Sequence, residues 1–418
     1  MVMGPLRRAP AVAAMDVGSS KVIVALAAPE DGGLRVLAVA QEPCSGVRRG
    51  AVVDLGAASA AIAAAAERSR RVAGIPLPPL MLGSAGGEIL SCNREAELRI
   101  DPPGPVGPGH VADLMAEVRR TDLPPGYRLV HAIAQEYTVD GYEGCREPVG
   151  MAAGRLAVSA HLVACHGNLL ANLLRASDAA GVQVENFAVC ALAAAESVLS
   201  DQERGQGVLL CDIGASATQV GVLVAGEAVG SATIPLGGEH ITSDIAQGLR
   251  IPRDAAEDLK RRLATADIRS AADRPLDGLP LPPAEGTGAD GPVPAGGEQA
   301  TERLLAEIVQ ARVEEILERV ARLLQDGGLS DLILSGAVLT GGGSRLRGLS
   351  AVAMRILGVP VRCGGPLGVE GVLGTPEAAA CVGLLQWAAR GRNGGRRLMP
   401  IAAGVERRPW PFRLWRRE

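Results

Sequence analysis

At 418 residues and a net charge of -4, the chain is long enough for about two to four compact units with real cores, and nothing in its charge implies a general affinity for nucleic acid. No apolar run reaches the ~18 residues needed to span a bilayer. The 8 cysteines are scattered through apolar runs without a Cys-x-x-Cys pair, which fits reduced cytoplasmic thiols serving as small core residues. The opening MVMGPLRRAP is basic and then apolar, but Asp16 interrupts the apolar part early, so no cleaved signal is expected.

In chain order, residues 11 to 83 read as strands at Val12 to Met15, Val22 to Ala27 and Leu34 to Ala40, then an alanine-rich helix from Leu55 to Val72 with Asp54 as its N-cap. Pro76, Pro78 and Pro79 mark a loop before another strand at Leu80 to Gly83. A different block follows, with a strand pattern from Ser84, a Pro and Gly rich segment over Asp101 to Gly109, and a short helix over Val111 to Arg120. Alternating strands are then expected at Leu129 to Ala134, Glu136 to Val139 and Leu156 to Ala164. His131 and His161 fall in separate strands with no third ligand at usable spacing, which argues against a metal site. Asn168 to Ala180 reads as an amphipathic helix and Phe187 to Leu199 as a small-residue helix. Residues 265 to 300 carry dense Pro and Gly without apolar periodicity and read as a mobile loop. Thr301 to Gln325 resumes as a clear helix, with Thr301 as N-cap and Gly327 beyond its end.

Three glycine turns carry the chemistry. Leu209 to Val224, LLCDIGASATQVGVLV, reads as strand, turn, strand with Asp212 at the bend, and Ala11 to Leu26, AVAAMDVGSSKVIVAL, repeats the arrangement with Asp16, Gly18, Ser19, Ser20 and Lys21. Such a turn offers a carboxylate and several backbone N–H groups at one point, which suits magnesium and phosphate. Two copies suggest related halves closing on one ligand, a nucleotide phosphate chain. A third stretch, Leu332 to Ser344, is an apolar strand running into Gly341, Gly342, Gly343 and Ser344, followed by a helical segment from Arg345 to Leu357. Glycines there let backbone approach a flat base or sugar.

The order of these turns resembles the phosphate 1, phosphate 2 and adenosine motifs of the actin, Hsp70 and sugar kinase superfamily. The intervening stretches SGVRRGAVVDL (45 to 55), HAIAQEYTVDGYEGCREPVGM (131 to 151) and GGEHITSDIA (237 to 246) resemble the bacterial cell-division family FtsA, over about residues 11 to 390. The resemblance implies an α/β, actin-like two-lobed fold of duplicated ribonuclease H-like halves with an inserted 1C-type α+β subdomain. Its divisions would be 11–83 with 166–195 and 377–390 for lobe 1, 84–165 for the insertion, and 196–236 with 326–376 for lobe 2. A 2B-type subdomain at 237–325, a basic linker at 391–408 and a membrane-targeting tail at 409–418 would complete the chain. ATP and Mg are the implied cofactors, with Asp16 and Asp212 holding the metal through water and Gly214, Ser216, Thr218, Gly237 and Gly238 joining the phosphate side. Glu257 and Lys260, three residues apart on one helix face, would reach the ribose and base; the alternative is a solvated surface pair. Only Lys21 and Lys260 are lysine in the whole chain, and both fall at nucleotide positions.

The sequence also departs from the superfamily. Where relatives place a group that orients the attacking water, Val189-Cys190-Ala191 offers neither carboxylate nor amide, so rapid ATP turnover is not expected. Residues 265 to 300 replace a strand pair of the 2B-type subdomain, which looks trimmed. Phe187 to Leu199 and Glu377 to Trp387 match the two hinge helices, connect 1 and connect 2.

Of 8 aromatic residues in the chain, Trp410, Phe412 and Trp415 lie in the last nine, interleaved with Arg413, Leu414 and Arg416. Rings at headgroup depth and guanidinium on lipid phosphate suit an anionic bilayer; a disordered basic tail, or one docking on a protein, is the alternative. The resemblance implies a protein at the cytoplasmic face of the inner membrane that tethers FtsZ polymers through their C-terminal peptide, meets other divisome proteins and self-assembles with ATP. A PilM-like scaffold of a pilus or secretion assembly is the second reading, and a kinase or chaperone ATPase the third.

Overall fold

The structure, a computed structural model, describes residues 11–30, 33–84, 87, 89–276 and 300–392. The chain opens with β1 (Val12–Val17), β2 (Lys21–Glu30) and β3 (Gly33–Pro43), a small hairpin β4 (Val47–Arg48) and β5 (Ala51–Val52), helix α1 (Leu55–Ala73) and β6 (Leu80–Ser84). Next come β7 (Ile89–Pro105), α2 (Pro108–Arg119), β8 (Tyr127–Val139), β9 (Tyr142–Cys145) and β10 (Ala152–His166), then α3 (Gly167–Ala179), β11 (Val184–Val189), α4 (Cys190–Val198) and α5 (Asp201–Gln206). The remainder is β12 (Val208–Ile213), β13 (Thr218–Val224), β14 (Glu227–Ile234), α6 (Gly238–Leu249), α7 (Arg253–Leu263), α8 (Glu302–Asp326), β15 (Ala337–Thr340), α9 (Leu349–Leu357), β16 (Val361–Cys363) and α10 (Ala379–Arg392).

These strands make two five-stranded sheets of one design. The first runs β11-β6-β1-β2-β3 and the second β16-β15-β12-β13-β14; in each, three antiparallel strands adjoin two parallel ones. Between β6 and α3 a third, antiparallel sheet is inserted, ordered β7-β10-β8-β9.

Period-two alternation decides what each face touches. In β1, Ala13, Met15 and Val17 pack with α1 and α3, whereas Val12 and Ala14 face α10. In β12, Leu209, Cys211 and Ile213 join the core under α6 to α9, whereas Val208 and Leu210 face α4. Helices α4 and α10 therefore lie between the sheets. They cross closely enough that a Cβ added at Gly383 would sit 1.7 Å from the Ala193 carbonyl oxygen, and Ser197 Oγ donates to the Ala379 carbonyl at 2.7 Å. Small side chains are what this crossing demands.

Helix ends follow the expected chemistry. Asp54 accepts from the Ala57 N–H at 2.9 Å and Thr301 from the Leu304 N–H at 3.2 Å, each satisfying an orphan donor of the first turn. Other expectations are corrected. Phe187, Ala188 and Val189 belong to β11, and the helix begins only at Cys190; their alternation places Phe187 and Val189 on one face and Ala188 on the other, a strand pattern hidden by small residues. In Leu332 to Ser344 only Ala337–Thr340 is strand, because Ser330–Leu332 forms a 3-10 turn and Gly336 has φ +81°. The helix expected from Arg345 starts at Leu349, after a 3-10 turn at Gly342–Arg345. Strand β7 runs on through Asp101 to Pro105, and β8 is continuous across Gln135. Residues 265 to 276 are not loose: Ala266 and Leu276 are buried with α8, Ala266 N donates to the Arg347 carbonyl at 2.7 Å, and Leu276 N donates to the Ala300 carbonyl at 2.7 Å. Residues 277–299 lie outside the described residues, as does the tail. Among the described residues of 237–325 there is no named strand.

The inserted sheet grips the outer edge of the second lobe with polar side chains. Asn93 Nδ2 and Gln135 Nε2 donate to the Val229 and Ala228 carbonyls at 3.0 and 2.9 Å, and Ser91 Oγ to the Ser231 carbonyl at 2.6 Å. His161 bridges Asn93 Oδ1 (2.8 Å) and Ser231 Oγ (2.9 Å), while His131 Nε2 accepts the Val189 N–H at 3.1 Å. Both imidazoles thus make ring-nitrogen contacts that tie elements together. Burial lowers the pKa of His131 to about 4 and, with help from His131, that of His161 to about 3. A lowered histidine contributes stability above its unfolded pKa near 6.5 and loses it as pH falls, because the unfolded chain takes up the proton first. His161→Gln is therefore expected to cost less stability relative to wild type at pH 5 than at pH 7.5, measured by urea unfolding; a cost independent of pH would contradict the assignment. Gly383→Ala is expected to destabilise by about 2–3 kcal/mol through overpacking at the helix crossing, read in the same experiment.

Candidate nucleotide site

The two glycine turns are built alike. Gly18 N donates to the Lys21 carbonyl at 3.0 Å and Gly214 N to the Ala217 carbonyl at 2.9 Å; a Cβ on either glycine would stand 3.0 Å from that same oxygen. The tips meet, with Ser19 Oγ and Ser216 Oγ 2.6 Å apart. Asp16 continues the Val12, Ala14 register toward α10, and Asp212 continues the Val208, Leu210 register toward α4. The strand pattern thus aims both carboxylates into the gap beside the crossed helices.

Both carboxylates are enclosed by protein yet keep part of their surface open. Burial raises Asp16 to about 6, against the Cys190 thiol and Lys21, which favour its charge. Asp212 is raised to about 7, by burial first and by the charge of Asp16 next. Cys190, the first residue of α4, donates its thiol to Asp16 Oδ1 at 3.4 Å. Lys21 reaches Gln41 Oε1 at 3.3 Å; burial lowers its pKa, with Glu377 and then Asp16 pulling the other way. Ser20 is exposed at the turn.

The glycines of the third motif are needed where they stand. Gly341 has φ +78°, and a Cβ there would lie 2.2 Å from Asp212 Oδ1, so no side chain fits between this turn and the carboxylate. A Cβ on Gly343 would come 2.3 Å from Ile213 Cγ2. Ser344 Oγ turns inward to the Gly341 carbonyl at 2.8 Å, and Gly342 lies beside the Glu377 side chain.

Other expected site residues support the turns from behind. Thr218 is fully buried and donates to the Leu236 carbonyl at 2.9 Å. A Cβ on Gly237 would meet the Gly214 carbonyl at 2.6 Å, while Gly238 N and Glu239 N donate to the Gly214 and Ala215 carbonyls at 2.9 and 2.7 Å. Glu257 and Lys260 are not a solvated pair. Lys260 Nζ donates to Glu257 Oε2 (2.6 Å), Thr242 Oγ1 (2.7 Å) and the Gly238 carbonyl (2.9 Å), locking α7 to the first turn of α6. Burial works to raise Glu257, but hydrogen bonds from Lys260 and Thr242 outweigh it and bring its pKa to about 2.

Two participants escape the sequence motifs. Glu377, at the start of connect 2, pairs with Arg345 at 2.9 Å and feels Lys21; nothing in a lone glutamate before an alanine run singles it out. Cys190 is noticed in the sequence only for what it cannot do, and its contact with Asp16 emerges from the fold.

Two like sheets, crossed helices between them and paired carboxylates at two matching turns define an actin-like ATPase fold. Among solved structures, a PilM-PilN type IV pilus biogenesis complex aligns with TM-score 0.62 and 17% identity over 90% of this chain and 98% of that one. MreB5 of Spiroplasma citri bound to ADP aligns with TM-score 0.53 and 13% identity over 90% and 95%. At those identities the likeness is one of fold, and the PilM match does not favour a pilus role. Residues 209–383 match the model of the cell division protein FtsA and residues 86–164 that of the SHS2 domain inserted in FtsA. The cell division protein FtsA of Pseudomonas aeruginosa is 32% identical over 92% of this chain and 90% of its own length, and that of Bacillus subtilis is 30% identical over 90% and 83%. The chain belongs to the FtsA family of cell division proteins.

Gly341→Ala is expected to destabilise through positive φ and collision with Asp212, by about 2 kcal/mol or more. In an Asp212→Ala background the cost should shrink but not vanish, since the nearest colliding atom is gone while the Ile213 carbonyl remains 2.7 Å from the added Cβ. A double-mutant cycle without coupling would contradict this packing.

Proposed function

We propose that the chain binds ATP with Mg between the two turns, self-assembles in that state, and tethers FtsZ polymers to the cytoplasmic face of the inner membrane at the division site. The observation that carries the nucleotide reading is the pair Asp16 and Asp212. Burial raises the cost of ionising both carboxylates and the charge of Asp16 adds to that of Asp212, and a hydrated divalent cation relieves it. The cradle fits: Gly341 clears Asp212, and the Ser19 and Ser216 turns stand opposite one another. Mg supplies charge neutralisation of the phosphates; Asp16 and Asp212 would hold it through water. Gly18, Ser19, Ser20, Lys21, Gly214 and Ser216 would contact phosphate, with Thr218, Gly237 and Gly238 behind them, and Glu257, Lys260 and Gly341 to Ser344 would face the nucleoside. The MreB5 structure bound to ADP supports a nucleotide in this fold.

The FtsZ and membrane roles are supported by family membership and by the tail composition. Trp410, Phe412 and Trp415 supply apolar burial, while Arg413 and Arg416 add roughly 1 kcal/mol each toward anionic lipid. FtsZ and other divisome proteins would dock on the 2B-type region around α8.

Asp212→Ala is expected to abolish Mg-dependent ATP binding in calorimetry while the protein still unfolds cooperatively; unchanged affinity would sink the nucleotide assignment. Steady-state turnover should lie far below the ~10 per second typical of enzymes, because Cys190 offers no group to orient water. Deleting Trp410 to Glu418 should release the protein from anionic liposomes, and Trp410→Ala with Trp415→Ala should weaken binding more at high salt than at low, where arginine attraction still holds. Cosedimentation indifferent to the deletion would make the tail a spectator.

A further inference from the structure

The hairpin Val47–Val52 has no part in the site as described so far, although its sequence stands out. Its loop is Arg49-Gly50, with φ of 50° and 74°, a two-residue turn that favours Asn-Gly. An arginine in the left-handed region gives up about 1–2 kcal/mol, so its presence calls for a reason. The base of the hairpin is fixed: Val53 N and Asp54 N donate to the Gly46 carbonyl at 2.9 and 3.1 Å, and a Cβ on Gly46 would overlap the first turn of α1, 2.3 Å from Ala58 N. At the tip, the Arg49 N–H donates to Ser216 Oγ at 2.9 Å, the same hydroxyl that meets Ser19 Oγ. A piece of lobe 1 thereby rests on the phosphate turn of lobe 2.

The Arg49 side chain is exposed and forms no salt bridge among the described residues, whereas Arg345 at the same site is paired with Glu377. Its charge reaches the start of α6, where His240 is held below its ordinary pKa by burial, then by Arg49 and Arg312. At the turns themselves Asp16 and Asp212 face Lys21 as the cation they share, while Arg345 is committed to Glu377 and Lys260 to Glu257.

We propose that Arg49 is a phosphate-binding residue, a guanidinium that lobe 1 delivers across the cleft to the phosphate chain held at the Gly214 to Ser216 turn. A planar fork of donors matches phosphate oxygens better than a point charge would, and the backbone bond to Ser216 preorganises it. The proposal rests on the nucleotide reading above and adds to it a specific cation from a specific lobe.

Calorimetry of the full chain with Mg-ATP tests it, using wild type, Arg49→Asn and Arg49→Lys. Asparagine accepts positive φ, so the hairpin is kept and the nucleotide-free melting temperature should not fall. Arg49→Asn is expected to weaken Mg-ATP binding about tenfold, the scale of one charge-assisted hydrogen bond, and to make affinity less sensitive to salt, with Arg49→Lys recovering part of the loss. An Arg49→Asn affinity within about twofold of wild type overturns the proposal. So does a weakened affinity accompanied by a lower melting temperature of the nucleotide-free protein, which would make Arg49 a support of the hairpin. If the unmodified chain does not bind Mg-ATP, the nucleotide reading falls and this proposal with it, a result read on wild type alone.

Discussion

Two carboxylates held close together in a poorly solvated gap are the constraint on which the rest of the site depends. Asp16 and Asp212 each cost more to ionise inside the protein than in water, by burial and, for Asp212, by the charge of its counterpart. Folding tolerates such a pair because so much around it is fixed by apolar packing. The even register of β1 and β12 aims both side chains at one gap, and the odd register anchors each strand in its own core. Beside the gap, α4 and α10 cross at Ala193 and Gly383 with no room for a side chain on Gly383.

The two lobes are joined in more places than a bare hinge would require. Besides the crossed helices, Ser19 meets Ser216 at the turn tips, the Arg49 hairpin rests on Ser216, and the inserted sheet holds the edge of β14 through Asn93, Gln135 and His161. Any closing or opening of the cleft must carry or break these contacts. That gives a physical route from the glycine turns to the insertion, since β14 is continuous through β13 with the strand that carries Asp212.

Much of this is legible in the sequence because it is local. A strand ending in Asp-x-Gly, repeated some two hundred residues later, announces both carboxylates and both turns; Asp54 and Thr301 announce their helices. What the sequence hides is of two kinds. Small residues blur periodicity, so Phe187, Ala188 and Val189 look helical until their neighbours show them to be β11, and Gly336 stops a strand that apolar composition alone would extend. Contacts across long separations are the other kind. Nothing near Cys190 points to Asp16, nothing near Glu377 to Lys21, and the buried bond from Thr218 to Leu236 makes a motif residue a support of its turn. Residues 265 to 276 were composition without pattern, yet Ala266 and Leu276 each find a place in the core.

If the paired carboxylates are the metal and nucleotide site, a cation arriving with the phosphates must displace the proton that burial favours on Asp212. Calorimetric titration of pre-formed Mg-ATP at pH 7 in buffers of different ionisation enthalpy measures this directly. The account predicts release of a fraction of a proton from wild type, a buffer-dependent heat that vanishes by about pH 9, two units above the raised carboxylate pKa. Binding with the same heat in every buffer at pH 7 would contradict it.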